Sequence, residues 1–340
     1  MRGALSGARC TPEPTFHIMK LIQISQTGGP EQMHLVDAPV PSPGPNQALI
    51  KVGAAGVNFI DVYFRIGLYK ADLPFTPGNE GAGTIEAVGH GVTGFAPGDR
   101  VAWGMFRGSY AEYVVVPVSQ LVKLPDGVAF STGAAAMLQG MTAHYLSHSS
   151  FPLKQGDKCL IHAAAGGAGR LLVQMAKMLG ATVYGTAGTD EKAAIAKSAG
   201  ADEVIVYTRQ DFAAEVKNLT GGKGVDVVFD SVGASTFLKG LDIIRPRGMM
   251  VLFGQSSGAV APFDPALLNQ KGSLFLTRPS LAHHCLTREE LNWRASDVLG
   301  WIAAGKLELR IQKTYPLGDA PQAHRDLEGR TTAGKLLLVP

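Results

Sequence analysis

His162-Ala-Ala-Ala-Gly-Gly-Ala-Gly-Arg170 decides the reading of this chain. It follows the apolar run Cys159-Leu-Ile161 and opens segment 168–179, where Leu171, Leu172, Met175, Met178 and Leu179 recur at three- and four-residue spacings, with Arg170 and Lys177 toward solvent. A buried strand, a small-residue turn and an amphipathic helix in that order aim helix-start N–H groups at a pyrophosphate. Ala164, Gly166 and Gly169 stand at the three glycine positions of the dinucleotide fingerprint. Gly166 permits close approach of the anion and Gly169 close helix packing, with Ala165, Gly167 and Ala168 completing the cradle. Ala164 departs from the strict pattern at the tight turn, and fits if its methyl faces away from the pyrophosphate.

Outward from that turn, helices and strands alternate: strand 182–185, helix 190–199, strand 203–206, helix 211–219, strand 225–230, helix 234–243 and strand 248–253. This series predicts a doubly wound parallel sheet covered on both faces. An NAD site would carry an acid near Ala187 to hold the adenosine ribose. The sequence instead reads Tyr184-Gly-Thr-Ala-Gly-Thr-Asp-Glu-Lys192, which leaves room for a 2′-phosphate and predicts NADP(H). Lys192 is the candidate cation, Thr189 a candidate hydroxyl donor and Tyr207 a cover for the nucleotide. A solvated helix lysine beside Asp190 and Glu191, and a plain surface tyrosine, are the competing readings. Ser231, Gly254 and Ser256 end the fourth and fifth parallel strands, where ligands collect; Asp230 either joins them or caps its own turn.

Before this region the signals are β-rich. Strands are expected at 48–52, 83–88, 100–101 and 110–116, a short helix at 58–64 and a longer one at 129–144. After it come a strand at 271–277, the 284–304 region and a final strand at 334–339. The expected fold is α/β, with a dinucleotide-binding domain at 142–275 inserted into a β-rich domain made of 19–141 and 276–340. Residues 1–18 form an N-terminal extension: a targeting peptide, an upstream start or a frayed tail.

The 340 residues suffice for two domains, and 46% hydrophobic against 17% charged residues supports large cores. A net charge of +3, dispersed among acids, offers no nucleic-acid groove. No run approaches the roughly 18 apolar residues of a membrane helix. Three cysteines without CxxC spacing form no disulfide framework, which suits a reducing cytoplasm.

Residues 58–69 (NFIDVYFRIGLY), HAAAGGAG, GTAGTDEK, VVFDSVG, FGQSSGAV, NQKGSLFLTRPSL and GRTTAGKLLL occur in order. Together they resemble the NADPH-dependent, zeta-crystallin-like quinone oxidoreductases of the medium-chain dehydrogenase/reductase family, over Met19 to Pro340. The resemblance implies a GroES-like catalytic domain, a Rossmann cofactor domain and a homodimer. It places Asn58, Tyr63 and Tyr69 as catalytic residues near the nicotinamide, and Thr142, Gly166, Gly169, Lys192, Tyr207, Phe253, Ser256 and Arg330 on the nucleotide. Lys192, Tyr207 and Arg330 would grip the 2′-phosphate. Where zinc-dependent relatives have a cysteine and a GHE-type histidine, this chain has Asn58 and Gly78-Asn79-Glu80, so no metal is expected. His144 and His162 are expected to pack or bond locally, and His283 and His284 to lie on a surface or turn.

The implied chemistry is metal-free hydride transfer from NADPH to a quinone, or to the β-carbon of an enone or alkenal. Tyr63 would donate a hydrogen bond to the substrate oxygen or simply pack on Phe59, and Asn58 would orient that oxygen or the nicotinamide ribose. A crystallin-like or RNA-binding role with NADPH as effector is the rival from another class.

Overall fold

The structure, a computed structural model, describes residues 17–340. Cys10 and nearly all of the expected extension lie outside the described residues. Strands β1 (Ile18–Ile24) and β2 (Met33–Pro39) pair antiparallel, with Ile22 and Ile24 fully buried. Next come β3 (Gln47–Val57), helix α1 (Phe59–Arg65), β4 (Glu80–Val88), β5 (Arg100–Gly104), β6 (Tyr113–Pro117) and β7 (Leu121–Lys123). The long helix α2 (Phe130–Tyr145) then leads into β8 (Lys158–Ile161), α3 (Gly167–Met178), β9 (Thr182–Ala187), α4 (Asp190–Ser198), β10 (Glu203–Val206) and α5 (Phe212–Leu219). The chain continues through β11 (Val225–Asp230), α6 (Phe237–Gly240), β12 (Ile244–Leu252), α7 (Ala266–Gln270) and β13 (Phe275–Thr277). It closes with α8 (Arg288–Ala303), β14 (Ile311–Pro316), α9 (Ala320–Glu328) and β15 (Lys335–Val339).

Six strands pair in parallel in the order β10-β9-β8-β11-β12-β13. The order reverses between β8 and β11, the switch point at which open α/β sheets bind ligands. A second sheet runs β14-β15-β3-β4-β5-β7, with β6 also on β3. The first two of these, β14 and β15, come from the C-terminal part of the chain, which so returns to the sheet it left at Lys123.

Helix α2 joins the two sheets, packing on β3, β4 and β5 along one side and on α3 and α8 along the other. Its small residues permit this: Ala134, Ala135 and Ala136 are fully buried in one core with Ala54, Ala82, Ile161 and Leu172. The expected boundaries fall inside elements, 141/142 within α2 and 275/276 within β13.

Strand β3 runs five residues past the expected Val52, through Gly53-Ala-Ala-Gly56. Glycine there reflects crowding, since a Cβ at Gly53 would lie 2.5 Å from the Phe130 ring. Strand β14 and helix α9 were not expected. Ile311–Pro316 is mostly exposed, and its strand character comes from pairing with β15. Helix 234–243 shortens to α6 and a 3-10 turn. On α3, Leu171, Leu172 and Met175 are buried as the periodicity predicts, whereas Met178, expected on the same stripe, is 44% exposed at the end of the helix. Arg170 corrects it: only 8% exposed, it donates to the Glu308 carbonyl at 2.5 Å.

Candidate active site

The turn after β8 is built by backbone strain and close packing. Ala163 takes a left-handed φ of 52°, and the Gly166 N–H closes on its carbonyl at 2.9 Å. Ala164 is fully buried, and a Cβ on Gly185 of β9 would lie 2.9 Å from its methyl. That methyl therefore packs down on the neighbouring strand. Gly169 has the Ala163 carbonyl 2.3 Å from its Cβ position, so only glycine lets α3 start so close to the turn. Helix α3 begins at Gly167 without a side-chain cap, which leaves the N–H groups of Gly167, Ala168 and Gly169 as its positive end.

These groups open into a cavity of about 740 Å³ that runs between the two sheets. At one end stand Lys192, Tyr207, Ser256 and Arg330. The Lys192 ammonium donates to the Arg330 carbonyl at 2.5 Å, and the Arg330 guanidinium to the Ser256 carbonyl at 3.2 Å. Among the described residues neither cation meets a carboxylate, and burial with the Arg330 charge beside it pulls the Lys192 pKa below its ordinary value. Tyr207 is 47% exposed, its hydroxyl over Gly188. Thr142, Ala165, Ser231, Phe253 and Gly254 also line the cavity. Thr189 does not: its hydroxyl accepts from the Lys192 N–H at 3.3 Å as the cap of α4. Asp230 is likewise a cap, accepting from the Val232 and Gly233 N–H groups at 2.7 and 3.1 Å.

At the other end, α1 presents Tyr63 against Tyr69, ring centroids 5.3 Å apart and edge-on. The Tyr63 oxygen accepts from the Gln255 N–H at 3.2 Å, a bond that crosses from α1 to the loop after β12. Its own hydrogen is left to donate, and burial raises its pKa, keeping it protonated. Sequence reasoning missed Leu138, Gln139 and Tyr145, which share the cavity face of α2 with Thr142, and Arg278 at the mouth. The three- and four-residue spacing from Leu138 to Tyr145 was the available signal.

Asn58 is placed differently from expectation. Its Nδ2 donates to Glu80 at 2.8 Å and the Gly56 carbonyl at 3.2 Å, while its Oδ1 accepts from Lys335 at 2.7 Å and Gln139 at 3.3 Å. All four hydrogen-bonding valences are used within the protein, so the carboxamide has none left for a substrate oxygen. Glu80 and Lys335, both buried, pair at 2.5 Å. A Cβ on Gly56 would lie 2.3 Å from the Glu80 carboxylate, so the glycine makes room for the pair.

Asp61 lies beneath, accepting from the Asn58 N–H, from both Asn79 nitrogens and from the Tyr110 hydroxyl. Burial pushes its pKa up to about 6. The Tyr110 oxygen faces His324 Nε2 at 3.2 Å, and Arg65 donates to His324 Nδ1 at 3.1 Å. Burial, reinforced by Arg65, pulls His324 down to about 3, so it is neutral with its hydrogen on Nε2. His144 packs in a separate cluster with His148 and Asp297, as expected. His162 bonds Thr186 at 3.0 Å, and His284 sits on a 3-10 turn.

The sequence profile described as "Alcohol dehydrogenase GroES-like domain" matches residues 44–126, and "Zinc-binding dehydrogenase" matches 167–293. A quinone oxidoreductase of Pseudomonas aeruginosa is 43% identical over 94% of this chain and 99% of its own length. A 2-haloacrylate reductase of a Burkholderia species is 42% identical over 93% and 98%. The crystal structure of Escherichia coli quinone oxidoreductase complexed with NADPH superposes with a TM-score of 0.92 at 42% identity, covering 94% of this chain and all of that one. The second profile's name implies zinc, and the donor set does not fit it. Asn58 and Asn79 offer amides already committed, and the Glu80 carboxylate holds an ammonium.

Proposed function

The chain belongs to the quinone oxidoreductase family of medium-chain dehydrogenase/reductases, and we propose that it reduces quinones with NADPH without a metal. One cleft carries the reading: a bare helix N-terminus lies between two cations that meet no carboxylate among the described residues and a wall of tyrosines. The pyrophosphate is assigned to the N–H groups of Gly167, Ala168 and Gly169, and the 2′-phosphate to Lys192 and Arg330 with Tyr207 alongside. Thr142, Ala165, Gly166, Ser231, Phe253, Gly254 and Ser256 shape the cleft for the dinucleotide. NADPH, when bound, supplies two electrons and one hydrogen as hydride, and a proton from solvent or Tyr63 completes the hydroquinone.

Tyr63 donates its hydroxyl hydrogen to the acceptor oxygen as negative charge develops there, because its own oxygen is already held by Gln255. Tyr69 backs the Tyr63 ring. Asn58 is a positioning residue, its carboxamide locked by Glu80 and Lys335.

The likeness to a 2-haloacrylate reductase favours a second reading, reduction of an activated alkene by hydride at the β-carbon and a proton at the α-carbon. Steady-state kinetics with NADPH separate the two. Quinones are expected to give the higher kcat/KM; clearly better turnover of enones overturns the quinone preference.

The dinucleotide-binding unit, 142–275, is inserted within the catalytic unit, 19–141 and 276–340, with α2 shared. The working form is a homodimer, supported by β13 as an edge strand with Phe275 59% exposed. A cytoplasmic setting is supported by free Cys159 and Cys285. No helix among the described residues is long and apolar enough to cross a membrane.

A further inference from the structure

Gln139 stands where the two halves of the cleft meet. From α2 its Nε2 donates to Asn58 Oδ1 at 3.3 Å, toward the tyrosine end. Its Oε1 lies 1.9 Å from the position a Cβ on Gly167 would take, so it rests against the first residue of α3. Among the described residues this Oε1 and the second Nε2 hydrogen have no hydrogen-bond partner, and the half-buried side chain lines the cavity. One carboxamide between the pyrophosphate cradle and Tyr63 thus carries a free acceptor and a free donor.

The order of groups along the cleft identifies what passes over them. With the 2′-phosphate at Lys192 and Arg330 and the pyrophosphate at α3, the next part of the dinucleotide toward Tyr63 is the second ribose, a vicinal diol. One hydroxyl of a diol donates as the other accepts, which matches a carboxamide edge. We propose that Gln139 binds the nicotinamide ribose through its hydroxyls, with Asn58 and Lys335 holding the amide in place. This rests on the NADPH reading above.

Two fragments of the cofactor test it by calorimetry. 2′-Phospho-ADP-ribose carries the second ribose, whereas 2′-phosphoadenosine 5′-diphosphate keeps the pyrophosphate and lacks that ribose. Gln139→Leu is expected to weaken the ribose-bearing fragment about fivefold, the size of one neutral hydrogen bond, and to leave the Kd of 2′-phosphoadenosine 5′-diphosphate within about twofold. Equal weakening of both fragments, or no weakening of either, overturns the ribose contact while the NADPH reading stands. Failure of the unaltered protein to bind either fragment overturns both.

Discussion

The floor of the cleft beneath Asn58 and its rim at Lys192 are both rich in charge, yet they are built on opposite plans. On the floor each charge is answered: Lys335 by Glu80 and Asn58, Asp61 by Asn58, Asn79 and Tyr110. On the rim Lys192 and Arg330 reach, among the described residues, only main-chain carbonyls. A saturated cluster has no valence for a ligand and contributes geometry; an unsaturated one can take up an anion at small cost. The two ends of one cavity therefore divide positioning from binding, and mutations should divide in the same way.

The floor gives the largest expected effect. Lys335→Met leaves the Glu80 carboxylate buried without its cation, which costs about 3–5 kcal/mol of stability. Thermal or urea unfolding reads this directly. Adding Glu80→Gln to the same chain should recover much of the loss, because a neutral amide is cheaper to bury than a lone carboxylate. A loss below about 1 kcal/mol for the single variant would mean that the pair is hydrated and the floor no different from the rim.

The rim should respond in binding rather than folding. Lys192→Ala removes a half-buried ammonium assigned to the 2′-phosphate, and a charge-assisted contact of about 1.5–3 kcal/mol corresponds to a KM for NADPH raised tenfold or more. NADH, which lacks that phosphate, should change little, and the melting temperature should stay near that of the parent. Equal losses for both cofactors would reject the clamp. A large fall in stability would place Lys192 with the saturated floor.

The same contrast separates what the sequence reveals from what it hides. The turn from His162 to Arg170 is legible because strand, glycines and helix stripe are consecutive, and β8 to β13 each carry their own apolar run. The rim is legible in part: the missing acid at Ala187 and the nearby Lys192 lie within one short segment. Thr189 is legible only as a hydroxyl before a helix, a pattern that serves equally as a cap, the role its oxygen takes toward the Lys192 N–H. The floor is illegible because Asn58 and Glu80 are 22 positions apart and Lys335 is 277 from Asn58. Nothing local marks Lys335 as buried; a lysine in a C-terminal strand reads as exposed until β15 is known to pair with β3. Strand β14 and helix α9 were hidden likewise, as their structure is set by the sheet to which the chain returns.

The smallest expected effect tests whether Ala164 belongs to the fold or to the ligand. Its methyl is buried against Gly185, with the Cβ position on that glycine only 2.9 Å away. Ala164→Gly should therefore cost about 0.5–1 kcal/mol of stability, through backbone entropy and a small lost contact, and leave the NADPH Kd unchanged. The vacated space should then accept a methyl from the other side, so Gly185→Ala should be tolerated better with Ala164→Gly than alone, where the crowded methyls force strand β9 to shift. A tenfold change in NADPH affinity from Ala164→Gly would turn the methyl toward the pyrophosphate. The departure from the glycine pattern would then be a feature of recognition. If the pair of substitutions compensates instead, alanine at the tight turn is permitted because glycine stands on the neighbouring strand, and the fingerprint is written across β8 and β9 together.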